Sequence, residues 1–456
     1  MRRSKGGTRK ALVAGLLAGV GVAAVVVPGA LQAKDGDRTS EVRQAIDGGR
    51  ARNVIQITAD GMGDQQLTIA RNYLVGAGGR MAMDTLPLTG EIATWSVQES
   101  NPALPDYDSE SASGGTALAT GHKTADGRIS TAAGTDADLP TTIELARAAG
   151  LRTGNVTTAE LTDATPATQM AHVRNRTCQG PADMAACPQD LRANGGPGSI
   201  AEQSVDHQVD VLFGGGRARY LQSIPSGPGA GGTVEAYAQA QGYQVVTDRT
   251  GLLAVTQPKV LGLFNSGNMS TEFGGSKATN PPSAQTCLTN QRPANEPSLA
   301  EMTTTAIRLL DQKPNGSRRG FFLQVEGALA DKRDHTAEPC HAIGELKGLD
   351  EAVEVALDFA KKDGRTLVIL TADHNHSSLI VEVGSTPPGL SSILTTADGA
   401  QMQVYYGAPE TSAPGASNQH SGGQVRVAAY GPQAANVVGV NDQTEIVTII
   451  RRALDL

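Results

Sequence analysis

Asp331 and His335 stand four residues apart just after an apolar run, Phe321-Phe322-Leu323-Gln324-Val325, which also delivers Glu326. A spacing of four puts both side chains on one face of a helix, within reach of a single cation, and an acid with a histidine is a common pair of zinc ligands. Taken alone, such a pair is more often an ion pair on a solvated helix. The pattern recurs, however. Asn53–Thr58 runs into Asp60-Gly61-Met62-Gly63-Asp64, and Thr366–Thr371 runs into Asp373-His374-Asn375-His376. Asp60-Gly61 is ordinary turn punctuation, but Asp373-His374 is not. Ligand sites in open α/β sheets lie at the carboxyl ends of the strands, so three strands that end in acids can pool them over one crevice.

A nucleophile is available nearby in sequence. Ser109, Ser111 and Ser113 lie at the start of a stretch whose small residues run from Ala112 into what reads as a helix. A serine at that position is commonly only a cap. Its other capacity is chemical: a hydroxyl at a helix N-terminus sits where backbone donors favour a phosphate, and a metal can replace a general base in activating it. Arg174 and Arg176 lie just before Cys178; an arginine there is commonly only a surface residue, but a guanidinium tethered in that way suits a two-bond grip on phosphate. Among the eight histidines, His335, His374 and His420 are the ligand candidates, with His420 in the Gly-rich loop Asn418–Gly423. His376 reads as a support for the ligands. His122, His172, His207 and His341 lack a partner pattern and read as surface or core residues.

The elements that must position these groups alternate along the chain. Further strands are expected at 153–157, 209–213, 243–247, 260–264 and 425–430, and a closing amphipathic helix at 444–454. Gly214-Gly215-Gly216 reads as a tight turn, because the spaced glycines of a nucleotide-binding fingerprint are missing. Arg2, Arg3, Lys5, Arg9 and Lys10 precede the apolar stretch Ala11–Val27, and Leu31-Gln32-Ala33 offers a cleavage site, so residues 1–33 read as a signal peptide and 34–456 as the exported catalytic portion. No later stretch is apolar and long enough to span a bilayer. Loss of the five basic residues of the leader takes the net charge from −8 to −13, which argues against nucleic acid as a partner.

Four cysteines in an exported chain imply two disulfides with three possible connectivities. Pairing of sequence neighbours, Cys178 with Cys187 and Cys287 with Cys340, is preferred because it closes local loops. The second bridge would then hold the segment just after His335.

Asp60-Gly61-Met62-Gly63-Asp64, Ser111-Ala112-Ser113 with Thr116 and Thr120-Gly121, Asp163-Ala164-Thr165-Pro166, Val325-Glu326-Gly327 through Asp331 to His335, Thr371-Ala372-Asp373-His374, and His420-Ser421-Gly422 together resemble bacterial alkaline phosphatase, in the same order over nearly the whole mature chain. The resemblance implies a three-layer α/β/α sandwich around a large, mostly parallel central sheet. It also implies an exported phosphomonoesterase, periplasmic or extracellular and homodimeric, with two Zn2+ and one Mg2+ per subunit. Asp331, His335 and His420 match the ligands of one zinc, and Asp60, Asp373 and His374 those of the other. Asp60 bridges to a magnesium that Thr165 and Glu326 help to hold. The donor types agree, since mixed nitrogen and oxygen sets suit zinc and all-oxygen sets suit magnesium. Ser111 matches the nucleophile of a double displacement through a phosphoserine, Arg176 the phosphate-gripping arginine, and Asp163 and Lys332 residues that tune phosphate and magnesium. The preferred cysteine pairing is also the family's.

One position departs from the pattern. Glu110 stands where the family usually has Asp, and a carboxylate one methylene longer must either bend back or push Arg176 out of its two-bonded pose, so a looser Arg176 is expected. Two other readings fit the same architecture. Related metalloenzymes act on phosphodiesters or sulfate esters, but commonly carry threonine or a modified cysteine in place of Ser111. A non-catalytic exported metal- or phosphate-binding protein would be expected to have lost Ser111 or a ligand, and none is lost.

Overall fold

The apolar runs of the sequence become the middle of one ten-stranded sheet. The computed structural model describes residues 37–312, 320–411, 413 and 416–456, so the proposed leader at 1–33 lies outside the described residues. In spatial order the strands are Gly439–Asp442, Leu88–Ala93, Val425–Tyr430, Thr366–Thr371, Asn53–Ala59, Phe321–Gly327, Arg152–Glu160, Val211–Gly215, Val260–Leu263 and Gln244–Val246. Only Val425–Tyr430 runs against the others. Every residue of Asn53–Ala59, Phe321–Gly327 and Thr366–Thr371 is buried. Their β-branched and aromatic side chains must therefore be covered on both faces, the usual condition of a parallel sheet.

Helices supply that cover on both sides. Asp64–Val75, Leu299–Leu310 and Pro339–Asp363 pack together on one face, while Ser111–Thr120, Thr142–Ala148 and Glu445–Leu454 pack together on the other. The 25-residue helix Pro339–Asp363 begins with proline at its first position and stops at Gly364, whose φ of 73° is left-handed, a start and stop chemistry that sets its length. The expected strands at 209–213, 243–247 and 260–264 are present but shorter or shifted by one or two residues. Sequence reading did not anticipate Leu88–Ala93, the second strand in from one edge, or the edge strand Gly439–Asp442, which are short and only partly buried, so no apolar run marks them.

Register determines where the acids arrive. Thr58 pairs with Glu326 on one side and with Thr371 on the other, so Asp60, Glu326 and Asp373 leave the sheet at the same end of three adjacent strands. Glu326 in turn pairs with Thr157, which brings the following segment with Asp163 and Thr165 to that end as well. A separate pair of two-residue strands, Asn375–His376 and His420–Ser421, sets His420 opposite His376. A small four-stranded sheet, ordered Ser378–Val381, Gln401–Tyr406, Leu390–Thr395 and Ser283–Gln285, lies beyond them. Among the described residues no helix is long and apolar enough to cross a membrane.

Candidate functional site

At the carboxyl ends of the central strands the structure gathers the acids and histidines into two abutting groups. Leu329–His335 is helical, so Asp331 and His335 share a face, with His335 Nε2 3.4 Å from Asp331 Oδ1. His420 Nε2 reaches the same oxygen at 3.2 Å and lies 3.0 Å from His335 Nε2. His335 Nδ1 donates to the carbonyl of Asn418, so its Nε2 presents a lone pair to this cluster. Two ring nitrogens and a carboxylate oxygen that converge in this way are donors of the type and spacing that could hold a cation.

His376 has its Nε2 3.4 Å from Asp331 Oδ1, as if it were another ligand. Its tautomer argues otherwise. The backbone N–H of Ser377 donates to His376 Nδ1 at 2.8 Å, so Nδ1 carries the lone pair and Nε2 carries the proton, directed at Asp331. His376 Nε2 therefore faces the carboxylate with a proton and not with a lone pair, and no hydrogen bond joins the two.

The second group surrounds His374, whose Nε2 is 3.3 Å from Asp60 Oδ1, 3.4 Å from Asp373 Oδ2 and 3.2 Å from Ser111 Oγ. Asp373 Oδ1 is held by the backbone N–H groups of Gly61 and His374, which leaves Oδ2 free to face the site. Two close approaches explain the small residues here. Gly61 has φ +71°, and a Cβ on it would lie 3.0 Å from Asp331 Cβ, while a Cβ on Gly114 would come within 2.5 Å of the Asp373 carbonyl. The His374 and His420 rings stack with centroids 3.7 Å apart, which joins the two groups into one cluster.

The fit to metal ions rests on unpaired atoms. Asp60 Oδ1, Asp331 Oδ1, Asp373 Oδ2 and Thr165 Oγ1 are all buried without a hydrogen-bond partner. A buried carboxylate oxygen left in that state is costly unless a cation meets it. Burial, reinforced by the charges of Asp331 and Asp373, pushes Asp60 up to about 7. Burial and the charge of Asp60 push Glu326 well above the usual carboxylate range, and Thr157 Oγ1 donates to Glu326 at 2.5 Å. Asp331 is the exception. Burial acts to raise it, but His420 and His335 together hold it well below the ordinary value.

Across from this cluster lies an arginine grip in which every acid has a cation. Arg176 Nη2 donates to Asp163 Oδ1 at 2.9 Å, and Lys332 Nζ meets Asp163 Oδ2 at 2.5 Å. Despite its burial, Asp163 is held far down by Lys332 and Arg176. Glu110 does not push Arg176 away. Its carboxylate bends back over the start of the Ser111–Thr120 helix, where Oε1 accepts from Gly127 N at 2.7 Å and Ser113 N at 3.1 Å while Oε2 accepts from Arg176 Nη1. The looser arginine expected from the longer side chain is therefore not what the structure shows: the extra methylene is taken up by the helix cap, and the guanidinium is fixed between Glu110 and Asp163.

Ser111 is the first residue of its helix and is buried beside His374. Ser113 is engaged elsewhere, with its hydroxyl 2.6 Å from Asp126 Oδ1 and 3.0 Å from the Glu110 carbonyl. The bridges pair Cys178 with Cys187 and Cys287 with Cys340. His122 and His341 stay apart from any ligand cluster among the described residues, but His172 and His207 do not. They converge with Glu144 in a third group of ligand atoms. Sequence inspection missed this trio because its members are 28 and 35 residues apart with no periodic relation.

Comparison with known proteins agrees with the geometry. The family model described as alkaline phosphatase matches residues 51–413 and 409–456. The chain is 46% identical to the alkaline phosphatase of Escherichia coli strain K12 over 447 residues, covering 95% of this chain and 92% of the relative. It is 49% identical to the streptomycin-6-phosphate phosphatase of Streptomyces griseus over 413 residues, covering 89% and 91% respectively. Among solved structures, the alkaline phosphatase of the Antarctic bacterium TAB5 superposes with a TM-score of 0.67 at 23% identity, over 89% of this chain and 99% of that one, which supports the fold.

Proposed function

We propose a residue-level mechanism for this chain, which belongs to the alkaline phosphatase family and is a metal-dependent phosphomonoesterase. The observation that carries the proposal is the convergence of ligand-type atoms, four of them buried and unpaired, next to the hydroxyl of Ser111. Asp331, His335 and His420 would hold one zinc, and Asp60, Asp373 and His374 the other. Asp60, Glu326 and Thr165 would hold magnesium, with oxygen donors only. Bound there, such ions supply Lewis-acid stabilisation of the phosphoryl and leaving oxygens and lower the pKa of oxygen nucleophiles.

The chain's own residues then do the following. Arg176, fixed between Glu110 and Asp163, offers its guanidinium edge to two phosphate oxygens and sets the phosphorus in line with Ser111 Oγ. The backbone donors at the start of the Ser111–Thr120 helix favour the negative charge that accumulates there. Ser111 Oγ attacks phosphorus, the alcohol leaves from the opposite side, and a phosphoserine results. Water attacking from the vacated side returns Ser111 and releases inorganic phosphate. Asp163 and Lys332 keep the grip and the all-oxygen site in register through their short ion pair.

The test compares rates on matched phosphate monoester, phosphodiester and sulfate ester substrates, with streptomycin 6-phosphate included because one relative is named for it. A monoester preference with trapped phosphate on Ser111 is expected, unaffected by Ser109→Ala. Phosphate trapped on Ser113 would overturn the assignment of the nucleophile. Export, with residues 1–33 removed, and a homodimer belong to the same proposal. Two disulfides agree with an oxidising compartment. N-terminal sequencing of the secreted protein and light scattering of the purified one test these points.

A further inference from the structure

Glu144, His172 and His207 come from three separate places in the chain. Glu144 lies in the helix Thr142–Ala148, His172 in the segment leading to Arg176, and His207 caps the end of the helix Ile200–Asp206. Their ligand atoms all lie within 4.8 Å of one another. None of the three belongs to the catalytic cluster.

Hydrogen bonding already orients two of the three groups, His172 and Glu144. His172 Nδ1 lies 2.9 Å from the carbonyl oxygen of Ser130. A carbonyl only accepts, so Nδ1 bears the proton and the lone pair of the neutral ring is on Nε2. That atom faces Glu144 Oε1 at 3.2 Å. A lone pair opposed to a carboxylate is repulsive unless a proton or a metal ion lies between them. Glu144 is oriented in turn by its other oxygen, since Oε2 accepts from Thr141 N at 2.8 Å, which turns Oε1 toward the two imidazoles. His207 Nδ1 lies 3.6 Å from that same Oε1, too long for a hydrogen bond. Both separations match neighbouring ligands of one ion, because tetrahedral ligands at ~2.0–2.1 Å from zinc stand about 3.3 Å apart. A ligating histidine whose other nitrogen donates to a backbone carbonyl is the usual orientation at such sites.

The surroundings suit a cation with an open position. The His172 side chain is 9% exposed, whereas those of His207 and Glu144 are 20% and 30% exposed, so the trio is sealed on one side and wet on the other. Asp138 and Asp206 add negative charge nearby. The guanidinium of Arg147, which adds positive charge near His207, is directed at the Gln208 carbonyl.

We propose that Glu144, His172 and His207 form a binding site for a divalent transition-metal ion of the zinc class, additional to the catalytic metals, with water completing the coordination. An ion there would tie the Thr142–Ala148 and Ile200–Asp206 helices to the segment that ends in Arg176. That segment is already docked at both ends: His172 N donates to Gln203 Oε1 at 2.9 Å, and Arg176 N donates to the Gly127 carbonyl at 2.7 Å.

The experiment is equilibrium dialysis of the holoenzyme against micromolar zinc, with metal counted per chain for wild type and His207→Ala. The variant should hold one zinc fewer per chain with kcat unchanged, since His207 takes no part in the reaction. Equal zinc content in the two proteins overturns the proposal. Diffraction from wild-type crystals at the zinc absorption edge provides a second readout that needs no variant. An anomalous peak between Glu144 Oε1, His172 Nε2 and His207 Nδ1 is expected. Density there without anomalous signal, while the catalytic cluster shows full peaks, would identify a protonated ion pair in place of a metal site and refute the proposal.

Discussion

The two halves of the candidate site are built from the same residue types and solve opposite electrostatic problems. On one half, Asp60, Glu326 and Asp373 are buried without a side-chain cation from the protein beyond histidine, and burial drives all three above the ordinary carboxylate range. On the other, Glu110 and Asp163 are also buried, yet the charges of Arg176 and Lys332 overcome that burial and hold both acids below it. The difference shows which charge the fold provides and which it leaves to be imported. A buried acid with a built-in partner is part of the scaffold, whereas buried acids that repel one another are an unfinished site.

Removing the imported charge should give the largest effect. Chelation should abolish turnover, and zinc with magnesium should restore it, as read by rate and metal content in the same samples. Full activity in a zinc-free sample would break the comparison at its base. Ser111→Ala should likewise remove the phosphoserine, measured by intact-protein mass.

A second test concerns Glu345, a buried acid behind the metal half that accepts from Thr158 Oγ1 and from Leu329 N at 3.3 Å. Burial pushes it up to about 7 from an ordinary 4.5. The folded state therefore keeps a proton that the unfolded state loses, so this group's stabilising contribution is complete below about pH 4.5 and falls as pH rises to about 7. One pKa unit corresponds to about 1.4 kcal/mol, so the loss is about 3 kcal/mol. Glu345→Gln should thus be more stable than wild type at pH 8 and show little difference at pH 4.5, measured by denaturant unfolding of the zinc-loaded protein. A gain independent of pH would show that the acid is not the cause.

The disulfides divide along the same line. Cys340 belongs to the helix that starts four residues after His335, whereas Cys178 follows Arg176 by two. Loop closure over sequence separations of 53 and 9 predicts contributions of roughly 4 and 3 kcal/mol, too similar to distinguish the bridges by melting alone. Function should distinguish them: Cys287→Ser should lose zinc more readily, and Cys178→Ser should raise the phosphate inhibition constant with zinc retained. Equal zinc loss in both would remove the division.

The smallest expected effect sharpens the grip half. Glu110→Gln keeps an oxygen for Gly127 N and Ser113 N but turns an amide toward Arg176. Loss of one charge-assisted bond, about 1.5 kcal/mol, should weaken inhibition by phosphate about tenfold. The same substitution in an Arg176→Ala background should have almost no effect. An undiminished effect there would show that Glu110 acts by another route.

Much of the candidate site was legible because its ligand-type residues follow apolar strands or sit at helical spacing. Asp60, Glu326 and Asp373 end recognisable runs, and Asp331 with His335 needs only one turn of helix. The strand periodicity that buries Ile55, Val325 and Val368 also determines that the next polar residues emerge at one end of a parallel sheet. What lay beyond the sequence depends on contacts without a local period. The proton position on His376 follows from a bond with Ser377, and the reach of Glu110 from the placement of Gly127 against a helix start. Glu144, His172 and His207 meet only because two helices and a loop pack together, and no spacing along the chain encodes that distance. Sequence by itself determined which groups stand at the strand ends, since local backbone geometry places them. Only the tertiary structure decided how their protons and charges are shared, because burial and approach across distant segments control both.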